Sequence, residues 1–161
     1  MITKRNGARI LVVDDDELLA DNLVEYLETL GYQATAAYGG RAALDRFEQG
    51  DFQLVLTDLM MPEMGGLELL EKVKALDKSV IVIVITGYGT VESAVDAIKK
   101  GAYDFVPKPF KMDEVEVIIG RALEKHTLLR QLGVFRGLTL ALLVSIPIWL
   151  AMGIILAFVW K

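Results

Sequence analysis

The stretch RILVVDDDE, residues 9–17, decides the fold class, because a short run of aliphatic and β-branched residues ends abruptly in three consecutive aspartates. A continuous apolar run of this length is typical of a strand that is covered on both faces, as in a parallel sheet. The same kind of run recurs along the chain, with helical patterns between the runs. The predicted strands are Arg9–Val13, Gln33–Ala37, Leu54–Thr57, Val80–Ile85 and Asp104–Val106. The sequence therefore predicts an α/β fold with a five-stranded, doubly wound parallel sheet.

Apolar residues at helical spacing mark the faces of the intervening helices, and we expect these faces to pack in the core. Gly31 and Gly101 supply natural ends for two of the helices. The three predicted faces are Leu19, Leu23, Tyr26, Leu27 and Leu30; Val91, Ala94, Val95 and Ile98; and Val115, Ile118, Ile119 and Ala122.

Composition excludes several classes of function. The 161 residues contain no cysteine, so disulfides, thiolate metal sites and a cysteine nucleophile are excluded. Residues 1–136 hold 22 acidic and 16 basic side chains, a net charge of -6. An acidic body argues against binding to nucleic acid, which requires clustered positive charge.

Polar residues follow the predicted strands at the end where chemistry collects in an open α/β sheet. They are Asp14–Asp16 after the first strand, Asp58 after the third, Thr86 after the fourth and Lys108 after the fifth. Carboxylates that share a crevice repel each other unless a cation joins them, and hard oxygen ligands suit Mg²⁺. A carboxylate beside Mg²⁺, with a hydroxyl and an ammonium converging on it, is equipped to accept a phosphoryl group. Asp58 is the central candidate.

Each of these residues also has an ordinary structural explanation. Asp14–Asp16 would serve as the N-cap of the next helix, and Lys108 would be a solvated surface charge. The coincidence of four strand ends favours the functional interpretation over the structural one.

Residues 9–130 resemble a response regulator receiver domain of two-component signalling, and they are most similar to the receivers of nitrogen-regulator-type transcription activators. The resemblance rests on ILVVDDDE at 10–17, LVLTDLMMPEMGGLELL at 54–70, VITGYGTVESAVDAIKKGAYDF at 84–105 and VPKPF at 106–110. It implies a flavodoxin-like sheet with strand order 2-1-3-4-5.

The resemblance implies a phosphoacceptor site built on aspartates. Asp58 would accept the phosphoryl group of a histidine kinase, and Asp14 and Asp15 would form the acidic pair. Asp15, Asp58 and the Met60 carbonyl would bind Mg²⁺. The implied chemistry is Mg²⁺-dependent self-phosphorylation and slow autodephosphorylation, so we expect no other enzymatic activity.

The resemblance also implies a conformational switch. Thr86 would be the switch hydroxyl, Phe105 the switch aromatic and Lys108 the ammonium that contacts the phosphate. The new dianion on Asp58 would draw Thr86 toward it, and Phe105 would turn into the vacated space. The peptide bond between Lys108 and Pro109 would be cis.

Two bulky residues are expected to tune the phosphorylated state. Met60 and Tyr88 lie two residues after Asp58 and Thr86, respectively. Side chains at these positions could shield the acyl phosphate from water, so the sequence predicts a long-lived phosphorylated state.

The end of the chain departs from the family pattern. Leu138–Trp160 is 23 residues without a charge, and as a helix it would span about 35 Å against a hydrocarbon core of about 30 Å. The sequence therefore predicts one transmembrane helix over 138–160, with a buried helix of a globular protein as the alternative.

The charges around this segment predict its orientation. Lys125, Arg130 and Arg136 precede it and only Lys161 follows it. The positive-inside rule then predicts a single-pass protein of the inner membrane with the receiver in the cytoplasm. The predicted organisation is an N-terminal tail over 1–8, a receiver over 9–130, a juxtamembrane linker over 131–137 and the membrane helix over 138–160.

Two classes of function follow. The first is a membrane-anchored switch, phosphorylated on Asp58, that regulates an integral-membrane partner such as a transporter or a sensor. The second is an accessory structural subunit of a membrane complex, in which the receiver is a docking module. Contact with membrane lipid is expected in both, and whether the chain forms a homodimer is left open.

Overall fold

The computed structural model describes residues 7–87 and 90–124, together with Met152. The chain divides into two compact units, Met1–Leu123 and Glu124–Lys161. The described residues lie almost entirely in the first unit. The predicted linker over 131–137 and the predicted membrane helix over 138–160 lie outside the described residues, apart from Met152.

Five strands form one sheet in the order β2-β1-β3-β4-β5, and every neighbouring pair is parallel. The strands are β1 (Arg9–Val13), β2 (Gln33–Ala37), β3 (Leu54–Thr57), β4 (Ile81–Thr86) and β5 (Asp104–Pro107). The predicted fold class and strand order are confirmed.

Three strand boundaries, two in β4 and one in β5, differ from the prediction by one residue. β4 begins after Val80, whose N–H donates to the carbonyl of Asp77 in the preceding turn at 3.4 Å. β4 and β5 each run one residue further than predicted, because Thr86 and Pro107 are still partners in the ladder. Boundaries of this kind depend on the hydrogen bonds of the neighbouring strand, which the pattern of one strand does not contain.

Helices connect the strands and cover both faces of the sheet. They are α1 (Glu17–Thr29), α2 (Gly40–Gln49), α3 (Gly66–Leu76) and α4 (Val91–Lys99), followed by α5, described over 112–124. Gly31 and Gly101 follow α1 and α4 with φ of 87° and 100°. This left-handed conformation ends helices, as the sequence predicts at both glycines.

The hydrophobic core has two halves, one on each side of the sheet. Leu11 and Val13 of β1 lie in the half that α2 and α3 cover, whereas Ile10 and Val12 lie in the half that α1 and α5 cover. Successive side chains of a strand point to opposite faces. Because both faces are covered, the central strands β1, β3 and β4 are apolar except at their end residues Arg9, Thr57 and Thr86.

The predicted packing faces are confirmed for α1 and α5 and wrong for α4. In α4, Val91, Val95 and Ile98 are 78%, 45% and 48% exposed, and the one buried residue of the helix is Ala97. Apolar residues at helical spacing identify a face of a helix, but they do not establish that this face meets the sheet. The small Ala97 occupies the contact instead.

The predicted location in the inner membrane is wrong for the helices that the structure describes. None of them combines the length and the apolar character that crossing a bilayer requires. An uncharged apolar run gives the hydropathy of a segment, but it does not identify the medium around it, which is why composition alone misled the prediction.

Candidate functional site

The carboxyl ends of four strands meet at one edge of the sheet, and a polar residue lies at each of them. The N–H of Asp58, just after β3, donates to the carbonyl of Val13 at 2.9 Å, so Asp58 is fixed beside the end of β1, where Asp14 follows. Thr86 is the last residue of β4 and is fully buried. The N–H of Lys108 donates to the Thr86 carbonyl at 2.8 Å. The structure therefore brings together the residues that the strand-end argument selects.

Asp14, Asp15 and Asp58 form an acidic cluster in which one carboxylate oxygen of each lies within 4.8 Å of the others. Asp14 and Asp58 are buried, and Asp15 is exposed. Asp16 has a different position, because its carboxylate accepts the N–H of Leu19 at 3.1 Å and caps α1. Of the three consecutive aspartates, two join the cluster, and the N-cap explanation holds for the third.

Lys108 bridges the two buried carboxylates. Its Nζ lies 2.7 Å from Oδ2 of Asp14 and 2.7 Å from Oδ2 of Asp58. Burial alone would lower the pKa of Lys108, but the hydrogen bonds and the charges of the two aspartates outweigh burial and raise the pKa. Lys108 is therefore a charged part of the site and is not the solvated surface lysine of the structural alternative.

The loop between β3 and α3 fixes the Asp58 side chain and backbone. The N–H of Met60 donates to Oδ1 of Asp58 at 3.2 Å, and the Thr57 hydroxyl donates to the Asp58 carbonyl at 2.9 Å. A Cβ on Gly66 would lie only 2.0 Å from that carbonyl oxygen. Gly66 is thus a positioning residue that sequence reasoning missed. Its signal was the Gly65–Gly66 pair at the start of a helix that closely follows an acidic strand end.

The two proposed switch residues lie on neighbouring strands. Thr86 ends β4 inside the protein, and Phe105 lies half-buried in β5, where it pairs in register with Val84 and packs against the core under α2 and α3. The peptide bond between Lys108 and Pro109 is cis, as the resemblance implies. Tyr88 lies outside the described residues.

The acidic cluster is suited to a hard divalent cation. Three carboxylates face one ammonium, so the cluster carries excess negative charge that a divalent ion would offset. All of the available ligand atoms are oxygens, and the exposed side of Asp15 leaves room for water. Mg²⁺ binds through a few oxygens and keeps several waters, so these residues fit it.

Comparison with known sequences identifies the family to which the site is similar. Residues 10–119 match the response regulator receiver domain. The chain is 41% identical over 118 residues to the transcriptional regulatory protein ZraR of Escherichia coli K12, covering 73% of this chain and 26% of that protein. It is 39% identical over 132 residues to the nitrogen assimilation regulatory protein NtrX of Azorhizobium caulinodans, covering 81% and 29%. The chain thus spans less than a third of the length of either relative.

Solved structures show the same fold at similar identity. The structure of NtrX from Brucella abortus superposes with a TM-score of 0.76 at 36% identity, covering 80% of this chain and 30% of that one. A CheY-like receiver domain from Methanospirillum hungatei superposes with a TM-score of 0.73 at 33% identity, covering 74% and 96%. The second structure is matched over almost its whole length, so the described part of this chain corresponds to a complete receiver.

Proposed function

Because the chain belongs to the response regulator receiver domain family, we propose that it is a phosphorylation switch in which Asp58 accepts a phosphoryl group from a histidine kinase. One observation carries the proposal. The buried Asp58 carboxylate lies 2.7 Å from the Lys108 ammonium, within an acidic cluster that could hold a metal ion. A nucleophile and the charge that would stabilise its phosphorylated form are therefore side by side.

The transfer step uses few protein groups. An oxygen of Asp58 attacks the phosphorus of a kinase phosphohistidine, the new O–P bond forms as the P–N bond breaks, and the imidazole nitrogen keeps the electron pair. Lys108 then offsets the charge of the phosphoryl oxygens, and Asp14 holds Lys108 in position through their 2.7 Å contact. Mg²⁺ bound by Asp15, Asp58 and the Met60 carbonyl would neutralise further phosphoryl charge.

The switch follows from the new charge on Asp58. The Thr86 hydroxyl moves toward the phosphoryl group, and Phe105 turns from its half-buried position into the space that Thr86 leaves. The surface formed by α4, β5 and α5 changes as a result, and a regulated partner protein reads that change. The support for this step is the placement of Thr86 and Phe105 on paired strands beside the cluster.

Met60 sets the lifetime of the phosphorylated state by limiting the approach of water. The residue lies two positions after Asp58 and donates its N–H to the Asp58 carboxylate. Tyr88 is proposed to act with it. Beyond transfer to itself and slow hydrolysis, we propose no catalytic activity for the chain.

The test is phosphorylation of the full chain by acetyl phosphate with Mg²⁺, followed by mass spectrometry of the intact protein and its peptides. We expect one phosphoryl group on the peptide that contains Asp58, labile to hydroxylamine as an acyl phosphate is. Asp58→Asn should abolish the label. Asp16→Asn is the matched control, since it removes the same charge and an asparagine can still cap α1.

Two results would overturn the proposal. One is a label that persists in Asp58→Asn, and the other is loss of the label in Asp16→Asn to the same extent as in Asp58→Asn.

A further inference from the structure

The loop after β3 carries three methionines at three depths. Met60 is 59% exposed, Met61 is partly buried against the core, and Met64 is 5% exposed. Met64 is also confined by α2, because a Cβ added to Gly40 would lie 2.3 Å from the Met64 carbonyl oxygen and 2.9 Å from the Met64 Cβ. A dissolved oxidant therefore meets the thioether of Met60 well before that of Met64.

Met60 is also joined directly to the phosphoacceptor. Its backbone N–H donates to Oδ1 of Asp58 at 3.2 Å, so the side chain that peroxide would oxidise belongs to a residue whose backbone contacts the reacting carboxylate. An exposed methionine elsewhere on the surface would have no such connection. Exposure and this contact together distinguish Met60 from the other described methionines.

We propose that Met60 is a peroxide-sensitive modification site, and that its oxidation to the sulfoxide shortens the lifetime of phosphorylated Asp58. The inference rests on the proposed function. In the oxidation step the Met60 sulfur attacks one oxygen of hydrogen peroxide, an S–O bond forms and the O–O bond breaks. The proton on the transferred oxygen passes to the second oxygen, which leaves as water, and the sulfur loses two electrons to the peroxide.

Oxidation shortens the lifetime of the phosphorylated state because it makes the Met60 side chain polar. A thioether is apolar and flexible, whereas a sulfoxide is polar and accepts hydrogen bonds from water. Oxidation thus replaces an apolar shield beside the acyl phosphate with a hydrated group, so water reaches the phosphorus more often. Methionine sulfoxide reductases restore the thioether, which makes the change reversible.

The first measurement is the order of oxidation in the unphosphorylated full chain. The chain is treated with graded hydrogen peroxide, digested and analysed by mass spectrometry for each methionine separately. We expect Met60 to be oxidised ahead of Met61 and Met64. Oxidation of either of these before Met60 overturns the inference, and this result does not depend on whether Asp58 is phosphorylated.

The second measurement is the half-life of the phosphorylated chain before and after peroxide treatment. We expect oxidation to shorten the half-life severalfold in the wild type, and reductase treatment to restore it. In Met60→Leu, peroxide should leave that variant's own half-life unchanged. Met152→Leu is the matched control, because it removes a methionine that is 44% exposed, and its half-life should respond to peroxide as the wild type does.

The outcomes separate this inference from the function on which it rests. A half-life that peroxide does not change, or that still shortens in Met60→Leu, overturns the regulatory role of Met60. A wild-type chain that takes up no phosphoryl group on Asp58 contradicts the proposed function and with it the regulatory role, while the order of oxidation is still decided by the first measurement.

Discussion

Lys108 is the residue that balances the charge of the site, because its ammonium contacts both buried carboxylates. We expect Lys108→Met to lower the free energy of unfolding at neutral pH by about 2–3 kcal/mol, less than for a fully buried ion pair, since the Lys108 side chain keeps 21% of its exposure. Urea denaturation monitored by circular dichroism measures the difference.

The decrease in the free energy of unfolding that Lys108→Met causes should depend on pH in a defined direction. The folded protein raises the pKa of Lys108 above its ordinary value of 10.5, so the ion pairs contribute fully below that pH and are lost as the pH rises beyond it. The difference between wild type and Lys108→Met should therefore shrink above about pH 10.5. Lys111→Met, at an exposed lysine, is the control. An equal loss in both variants, or a difference that grows in alkali, would contradict this account.

At the scale of elements, the contact between the start of α3 and the end of β3 fixes the position of Asp58, the proposed phosphoacceptor. A Cβ on Gly66 would lie 2.0 Å from the Asp58 carbonyl oxygen and 3.0 Å from the Leu59 Cα. We expect Gly66→Ala to force α3 away from β3, at a cost of about 1–3 kcal/mol in the free energy of unfolding. Phosphorylation of Asp58 by acetyl phosphate should slow as well, because the carboxylate moves relative to Lys108.

Gly120 provides the matched control for this change. It lies in α5, and a Cβ there would meet nothing within 4 Å. Gly120→Ala should therefore stabilise the protein by about 0.5–1 kcal/mol, as expected for a glycine in a helix. Urea denaturation of the two variants should give opposite signs. A neutral Gly66→Ala with unchanged phosphorylation would show that the β3–α3 contact is not needed.

Helices and strands were predictable from sequence wherever the residues of one segment are enough to define the element. The bounds of β4 could not be predicted in this way. Whether Val80 and Thr86 belong to the strand depends on a turn and on a partner strand. The packing face of α4, predicted from residues that include Val91, Val95 and Ile98, has the same limit. Their spacing describes a helical face, but which face meets the sheet depends on how closely small residues such as Ala97 approach it. The close approach of Gly66 to Asp58 is likewise a property of two elements together.

At the scale of the whole molecule, the site was more predictable than the organisation of the chain. Parallel strands all end at one edge, so the order of the strands is enough to bring Asp14, Asp58 and Lys108 together. The strand-end pattern alone did not separate Asp16 from Asp15, because one residue along a tight turn changes a member of the cluster into a helix cap; the family resemblance did separate them, since it places the acidic pair at Asp14 and Asp15. No such rule of topology applies to the apolar segment at 138–160, and the location inferred from its hydropathy alone was wrong.

The acidic cluster also predicts how the stability of the whole protein responds to Mg²⁺. An ion that binds the folded chain and not the unfolded chain stabilises it by about 2.7 kcal/mol at one hundred times its dissociation constant. Thermal unfolding in MgCl₂, compared with KCl at equal ionic strength, should therefore show a higher midpoint. Asp15→Asn should remove most of this increase, because Asp15 supplies one of the three clustered carboxylates.

Asp16→Asn makes the Mg²⁺ prediction specific to position. It removes the same negative charge from the adjacent residue, and the new asparagine can keep the hydrogen bond from Leu19 that caps α1. If Mg²⁺ acted through general screening of an acidic surface, the two variants would lose the response equally. If it binds in the cluster, only Asp15→Asn loses it, because the Asp16 carboxylate lies outside the group of oxygens that an ion would join. A wild-type midpoint that is the same in both salts would exclude a Mg²⁺ site of useful affinity.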